Sequence, residues 1–290
     1  MQRYVRVSAL TMLLVFFVLT GSGHNVYGEQ TEMDVHFIDV GQGDSILIQT
    51  PSDKNILIDG GPPEAGKKVV GFLEDHNVEK IDLLIATHPD IDHIGGLTHV
   101  MKSFEVDRII DSGKLYSTKT YAKYISQILK QRIPIEIAKQ NALIQIDPFF
   151  KVRILNTHTG NKDNNDSSIA LKISFKEIDF LLMGDVEKEQ EKKLSKKYNL
   201  QSEIIKVAHH GSNTSTTSDF LDKVNPELAI LTYSKKNDYG HPVDRVIENL
   251  INVNAAIYST AIFGDITIST DGESYLIETE KHPTSNLNTG

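Results

Sequence analysis

Four side chains able to bind a metal stand within six residues of this sequence: His88, Asp90, Asp92 and His93. Packing alone does not ask for that cluster, and its two carboxylates repel one another unless a cation neutralises them. The pattern predicts a divalent-metal site. Three other places offer the same chemistry directly after an apolar run. Asp59 follows Ile56-Leu57-Ile58, Asp185 follows Phe180 to Met183 and one glycine, and His209-His210 follows Ile204 to Ala208. Each alone is weak, because a histidine after a strand commonly just makes a hydrogen bond and Gly-Asp is a common turn. If the runs are strands of one sheet, their ends can share an edge and the residues converge.

Such convergence needs a rigid frame, and short apolar runs supply one. Val35 to Val40 and Ile46 to Ile48, joined by Gly41-Gln42-Gly43, predict a hairpin with Asp44 and Ser45 at the start of its second strand. Ile56 to Ile58 predicts a third strand, and Ile81 to Ala86 a buried strand entering the metal cluster, with a helix starting after Gly95-Gly96. Glu64 to Asn77, Thr118 to Arg132 and Val186 to Lys197 have helical spacing. The second of these interleaves tyrosines with lysines. That fits a groove for a phosphate-bearing substrate, but an amphipathic helix with a solvated lysine face explains the same letters. Further strands are expected at Val106 to Ile110, twice within Ala142 to Asn156, at Ile169 to Phe175, Phe180 to Met183, Ile204 to Ala208 and Leu228 to Thr232. A polar loop with Lys235, Lys236 and Tyr239-Gly240-His241 leads to a helix at Pro242, a favoured first helical residue. Ala255 to Tyr258, Ile266 to Ser269 and Ser274 to Ile277 read as closing strands. Strands in succession, then strands alternating with helices, indicate a layered α/β domain over residues 29–280.

Residues 1–28 read differently. Arg3 and Arg6, an apolar run from Ala9 to Leu19 and small residues ending at Gly28 have the layout of a signal peptide, with export from the cytoplasm as its consequence. An uncleaved anchor is the alternative, though the run is short for a span of about 20 residues. Residues 281–290 read as a disordered tail. Without residues 1–28 the chain holds 28 Lys and Arg against 39 Asp and Glu, a formal charge of −11. So acidic a domain is not an obvious polyanion binder, although bound cations would cancel part of that charge. With no cysteine there is no disulfide framework.

His88-Pro-Asp-Ile-Asp-His-Ile-Gly-Gly resembles the metal motif of the metallo-β-lactamase superfamily, usually His-x-His-x-Asp-His. Asp39-Val-Gly-Gln-Gly-Asp-Ser45, Ile56-Leu-Ile-Asp-Gly-Gly61, Met183-Gly-Asp185, Ala208-His-His-Gly-Ser212 and Tyr239-Gly-His-Pro242 follow in the order seen in one branch, the metallo-hydrolase domain of the competence protein ComEC and its free-standing secreted relatives. The resemblance covers about residues 33–278. It implies a four-layer αββα sandwich with two divalent metal ions, zinc or manganese, and no organic cofactor. By position, His88 and Asp90 serve the first ion, Asp92, His93 and His209 the second, and Asp185 bridges them. Asp59 is expected to hold loops. Two departures stand out: Asp90 and Asn165 occupy places where the wider superfamily has histidines. Fewer nitrogen ligands shift preference from zinc towards manganese or another harder cation.

The implied reaction is hydrolysis by a water activated between two metals. Asp92 would orient that water, His241 would meet a phosphoryl oxygen or leaving group, and His210 would act as a neighbouring substrate contact, with Ser212 and Gln42 weaker candidates. The expected substrate is a phosphodiester, DNA being the first to try, and no stable membrane partner is expected after leader removal. A lactonase or cell-wall phosphoester hydrolase is the first alternative, and a metal-stabilised binding module without turnover the second. DNA transport is not carried over.

Overall fold

The structure is a computed structural model that describes residues 32–160 and 163–282. The expected signal peptide and residues 283–290 of the expected tail lie outside the described residues. The chain first builds β1 (Met33–Phe37), β2 (Ile46–Gln49), β3 (Asn55–Ile58), α1 (Gly66–Asp75), β4 (Lys80–Ile81), β5 (Leu83–Ala86), α2 (Ile91–Ile94), α3 (Leu97–Ser103), β6 (Glu105–Val106), β7 (Ile109–Asp111), α4 (Lys119–Gln131) and β8 (Ile135–Ile137). It then forms β9 (Leu143–Ile144), β10 (Lys151–Asn156), β11 (Ala170–Phe175), β12 (Ile178–Leu182), α5 (Lys188–Lys197), β13 (Ile204–Lys206), α6 (Ser218–Val224), β14 (Leu228–Leu231), α7 (Asp244–Asn252) and β15 (Ala256–Ser259). A short α8 (Thr260–Phe263) returns it to the first sheet as β16 (Ile266–Thr270) and β17 (Tyr275–Thr279).

The strands make two large sheets, ordered β17-β16-β1-β2-β3-β5-β7-β8 and β15-β14-β13-β12-β11-β10-β9. Alternation along each strand decides the layering. Ile46 and Ile48 of β2, with Val35 and Phe37 of β1, share the inter-sheet core with Leu171, Ile173, Phe180, Leu182, Ile204 and Ile230 of the second sheet. Leu47, Leu57 and Leu84 point the other way, onto Val69, Leu73, Val100 and Tyr124 of α1, α3 and α4. Leu181, Ile205 and Ala229 meet Leu194, Phe220 and Leu250 of α5, α6 and α7. The result is the expected αββα order, held by three apolar layers in which each fully buried Leu, Ile or Phe contributes about 1.5–3 kcal/mol. Among the described residues no helix is long and apolar enough to cross a membrane.

Several expected elements differ in detail, each for a local reason. The run Ile81 to Ala86 is interrupted at Asp82, whose carboxylate accepts from the Asn55 amide at 2.9 Å and pairs with Lys54 and Lys80. Val106 to Ile110 breaks where the Asp107 amide donates to the Ile81 carbonyl at 2.9 Å. Helix formation begins at Ile91, inside the metal cluster, before Gly95-Gly96. Finally, the strand ends do not belong to one sheet. β3 and β5 are parallel neighbours in the first sheet, and β12, β13 and β14 are parallel neighbours in the second. Their carboxyl ends meet at one rim of the sandwich, the place where parallel sheets commonly mount ligands.

Candidate metal centre

Each metal-capable side chain is fixed on its far side before it reaches the centre. Asp59, at the end of β3, accepts from the Thr87 amide at 2.9 Å, the Thr87 hydroxyl at 2.6 Å and His93 Nδ1 at 2.8 Å. It sets the His93 ring so that Nε2 points inward, 3.2 Å from Asp185 Oδ2. His88 leaves β5 with Nδ1 at 3.1 Å from Thr87 Oγ1 and 3.2 Å from Ser168 Oγ, which turns its Nε2 towards Asp90 Oδ2 at 3.6 Å and Asp185 Oδ2 at 3.8 Å. His210 Nδ1 donates to the Thr232 carbonyl at 2.8 Å, leaving Nε2 at 3.4 Å from Asp92 Oδ2 and 3.5 Å from Asp185 Oδ2. Asp59 thus holds both a loop and a candidate ligand, with Nδ1 as the anchored nitrogen throughout.

The inward atoms have nothing to bind in the protein itself. His88 Nε2, His93 Nε2, His210 Nε2 and Asp185 Oδ1 are buried without a hydrogen-bond partner. Ligand atoms of His88, His93 and Asp185 lie within 4.8 Å of one another, as do those of Asp92, His93 and His210. Buried polar atoms are almost always satisfied, so a convergent set of lone pairs fits divalent cations. His88, Asp90 and Asp185 would hold one, and Asp92, His93, His210 and Asp185 the other.

The two adjacent histidines are placed in the reverse of the expected order. His210 is buried and faces Asp92 and Asp185, whereas His209 is partly exposed, its Nε2 3.9 Å from Asp185 Oδ2 and its Nδ1 3.1 Å from Thr214 Oγ1. Both residues have positive φ, 48° and 54°, and this left-handed turn rotates the second side chain inward where an extended strand would present the first. Such backbone is unfavourable for non-glycine residues by about 1–2 kcal/mol each. Here it is clamped. The His209 amide donates to the Gly184 carbonyl at 3.0 Å, and Arg245 donates to the Ser215 and Thr216 carbonyls at 2.6 and 3.0 Å. Buried Glu191 accepts from the Thr216 and Thr217 amides.

Asp90 is held by Asn164 Nδ2, which donates to Oδ1 at 2.7 Å, while Asn165 Nδ2 donates to Glu187 and stays on the rim. His241 stands over the centre, its ring 5.6 Å from His209 and 6.5 Å from His210, with Nδ1 buried and unpartnered. Gln42 and Ser212 serve loops instead: Gln42 accepts from the Ser234 amide at 3.3 Å and the Ser212 hydroxyl meets Thr214 at 3.1 Å. Gly43 explains its own motif. A Cβ there would lie 2.1 Å from the Asp92 carbonyl oxygen, so only glycine lets this loop reach the metal cluster.

Charges inside the centre act strongly on one another. Burial alone would raise the Asp92 carboxyl, but the adjacent His210 and the His93 charge hold it well below the usual range. Asp185 goes the same way against its burial, because of His93 and His210. Burial opposes the imidazolium of His210, yet Asp185 and Asp92 lift it to about 9, and His93 is raised well above its ordinary value by Asp185 and Asp59. His241 moves oppositely, down to about 4, through burial and the neighbouring His209 and His210. Two residues not expected at the centre also reach it: Lys206, fully buried at the end of β13, and Asp44, which it meets at 2.5 Å. The available signal was a lysine inside an apolar strand.

The model of the metallo-β-lactamase superfamily matches residues 38–234. ComE operon protein 3 of Bacillus subtilis is 30% identical over 239 residues, covering 76% of this chain and 31% of that protein. Competence protein ComA of Neisseria gonorrhoeae is 30% identical over 221 residues, covering 75% and 29%. The chain thus spans less than a third of the length of these curated relatives. The metallo-β-lactamase fold protein YhfI from Bacillus subtilis shares the fold with a TM-score of 0.54 at 14% identity, over 79% of this chain and 95% of that one.

Proposed function

Because the chain belongs to the metallo-β-lactamase superfamily, ComEC-like branch, and is a metal-dependent hydrolase by that membership, we propose that it cleaves phosphodiester bonds with two divalent cations. The observation that carries the reading is the convergence of three unpartnered imidazole Nε2 atoms on Asp92 and Asp185. Charge supports two ions over one. With Asp44 offset by Lys206, the carboxylates of Asp59, Asp90, Asp92 and Asp185 remain, and two divalent cations cancel them where one does not. The donor sets differ. His88 with Asp90 and Asp185 favours a harder cation such as manganese, whereas His93 and His210 with two aspartates suit zinc as well.

Bound cations would supply an acidified water and polarise a phosphoryl oxygen. The protein's own groups do the rest. Asp92, half-buried and ionised, accepts a hydrogen bond from the attacking water and so fixes its direction. His241 is neutral near pH 7, so its N–H donates a hydrogen bond to a phosphoryl or leaving oxygen without adding charge. Lys235 and Lys236, on the same loop and outside the metal shell, offer exposed positive charge to the substrate backbone. Similarity to competence proteins supports nucleic acid as the first substrate to try, and the layout of residues 1–28 supports action outside the cytoplasm.

The test is turnover by purified protein, with manganese or zinc, of single-stranded DNA, a chromogenic phosphodiester and a lactone. Cleavage of either phosphodiester, abolished in Asp185→Ala and Asp92→Asn with circular dichroism unchanged, is the expected result. Cleavage of lactone alone overturns the phosphodiester reading. Asp90 and Asn165, which thin the imidazoles of the first position, favour one rival: a metal-stabilised binding module, indicated by metal uptake without any turnover.

A further inference from the structure

Behind the ligands lies a charged pair that the reaction does not use. Lys206 is on the inward face of β13, in line with Ile204 of the inter-sheet core, and is fully buried. An ammonium there is strongly unfavourable without a counter-charge. Asp44, at the start of β2 in the opposite sheet, supplies it at 2.5 Å from Oδ2. The same carboxylate lies between that ammonium and two ligand rings. Oδ2 is 3.9 Å from His93 Nδ1, and Oδ1 is 3.6 Å from His210 Nδ1. Oδ1 also accepts from the Thr232 hydroxyl at 2.6 Å, while the Thr232 carbonyl accepts a hydrogen bond from His210 Nδ1. The Asp44 amide donates to the Asp92 carbonyl at 3.2 Å, and the Asp44 carbonyl accepts from the Gly61 amide at 2.8 Å. One residue therefore touches both sheets and the backbone of a third ligand.

We propose that Asp44 is a positioning residue of the metal centre, which shields the His93 and His210 ligands from the buried Lys206 ammonium and holds the two sheets where their ligand sets meet. The inference rests on the metal reading above but not on the substrate. Its signature is a difference in sign. Asp44→Asn leaves a naked positive charge beside the cations and weakens them. Lys206→Met leaves an extra negative charge and does not. A scaffold role alone would make both variants lose metal together.

The experiment measures zinc and manganese dissociation constants by competition with a chromogenic chelator, for wild type, Asp44→Asn, Lys206→Met and the double variant. Circular dichroism melts of the metal-free proteins establish folding. The expected result is at least tenfold weaker binding in Asp44→Asn, the range seen when partners behind metal ligands are removed. Lys206→Met is expected to bind no more weakly than wild type, and the double variant to recover most of the loss. A smaller loss in Asp44→Asn, or an equal loss in Lys206→Met, overturns the proposal. Should Asp44→Asn not fold, Thr232→Val decides, since it keeps both charges and frees Asp44 Oδ1: weaker metal binding sustains the proposal and unchanged binding overturns it. Metal bound normally but no phosphodiester cleaved would sink the proposed function and leave this inference standing.

Discussion

Protons and metal ions compete for the same nitrogens in this centre, and the competition has a calculable size. Burial disfavours the His210 imidazolium, but the Asp185 charge and the close approach of Asp185 and Asp92 raise its pKa from 6.5 to about 9. At pH 7 the metal-free protein therefore holds this proton two units below its pKa, and removing it costs about 2.7 kcal/mol. Metal binding through His210 would accordingly be weakened about 100-fold at pH 7 relative to pH above 9, and His93, also raised, would add to the effect. The expected outcome is a log affinity that climbs by about one unit or more per pH unit between 7 and 9, then flattens. The sign for stability is opposite. A raised pKa stabilises the metal-free fold fully below the unfolded value of 6.5, and that contribution disappears as pH rises through about 9. Calorimetry in two buffers of different ionisation enthalpy, with free metal set by a chelator, reads both affinity and protons released. His210→Gln should lower the slope by about one. An affinity independent of pH, with no proton released, would refute the assignment of His210 as a ligand.

Three further outcomes follow from particular contacts. Asp59→Asn removes the carboxylate that orients His93 and braces Thr87, so metal affinity by chelator competition should fall about 10–100-fold with the fold retained. Gly43→Ala places a Cβ against the Asp92 carbonyl, and urea denaturation should show a loss of about 1–3 kcal/mol together with weaker metal binding. Arg245→Ala frees the carbonyls of Ser212, Asn213, Ser215 and Thr216 that its guanidinium gathers. Denaturation should register a loss of about 1.5–3 kcal/mol, and turnover should fall as His209 and His210 relax from their left-handed turn.

Much of this was legible because the chemistry sits at the ends of apolar runs. Ile56 to Ile58, Leu83 to Ala86, Phe180 to Leu182 and Ile204 to Lys206 each lead straight into a site residue, and a buried strand is among the plainest signals a sequence carries. Sheet membership was not legible. It depends on pairings such as β1 with β16, more than two hundred residues apart, and no local pattern encodes them. The order of His209 and His210 was hidden for a different reason: adjacent letters look alike until the backbone turns left-handed between them. β8 escaped because Ile135 and Ile137 are exposed, so this edge strand lacks the half-buried alternation that marks others. Lys206 was lost inside its own strand, since one lysine within the run Ile204 to Ala208 ordinarily turns its side chain to solvent.

The rim of the sandwich brings several locally unfavourable features together. Asp59, His209 and His210 adopt positive φ, four inward polar atoms lack partners, and imidazoles from both sheets, His93 and His210, crowd Asp185 at 3.2 and 3.5 Å. None of this helps the chain fold. It persists because the three apolar layers and the Arg245 and Glu191 clamps over-determine the backbone that presents it. Bound cations would offset these penalties except the backbone strain, by occupying the lone pairs and neutralising the carboxylates that the two sheets present. The arrangement therefore carries its specificity as unmet demand for positive charge. In this light Asp90 in place of a histidine does not subtract from the site. It exchanges a nitrogen for an anion held by Asn164, raising the demand for a hard cation at the position next to His88.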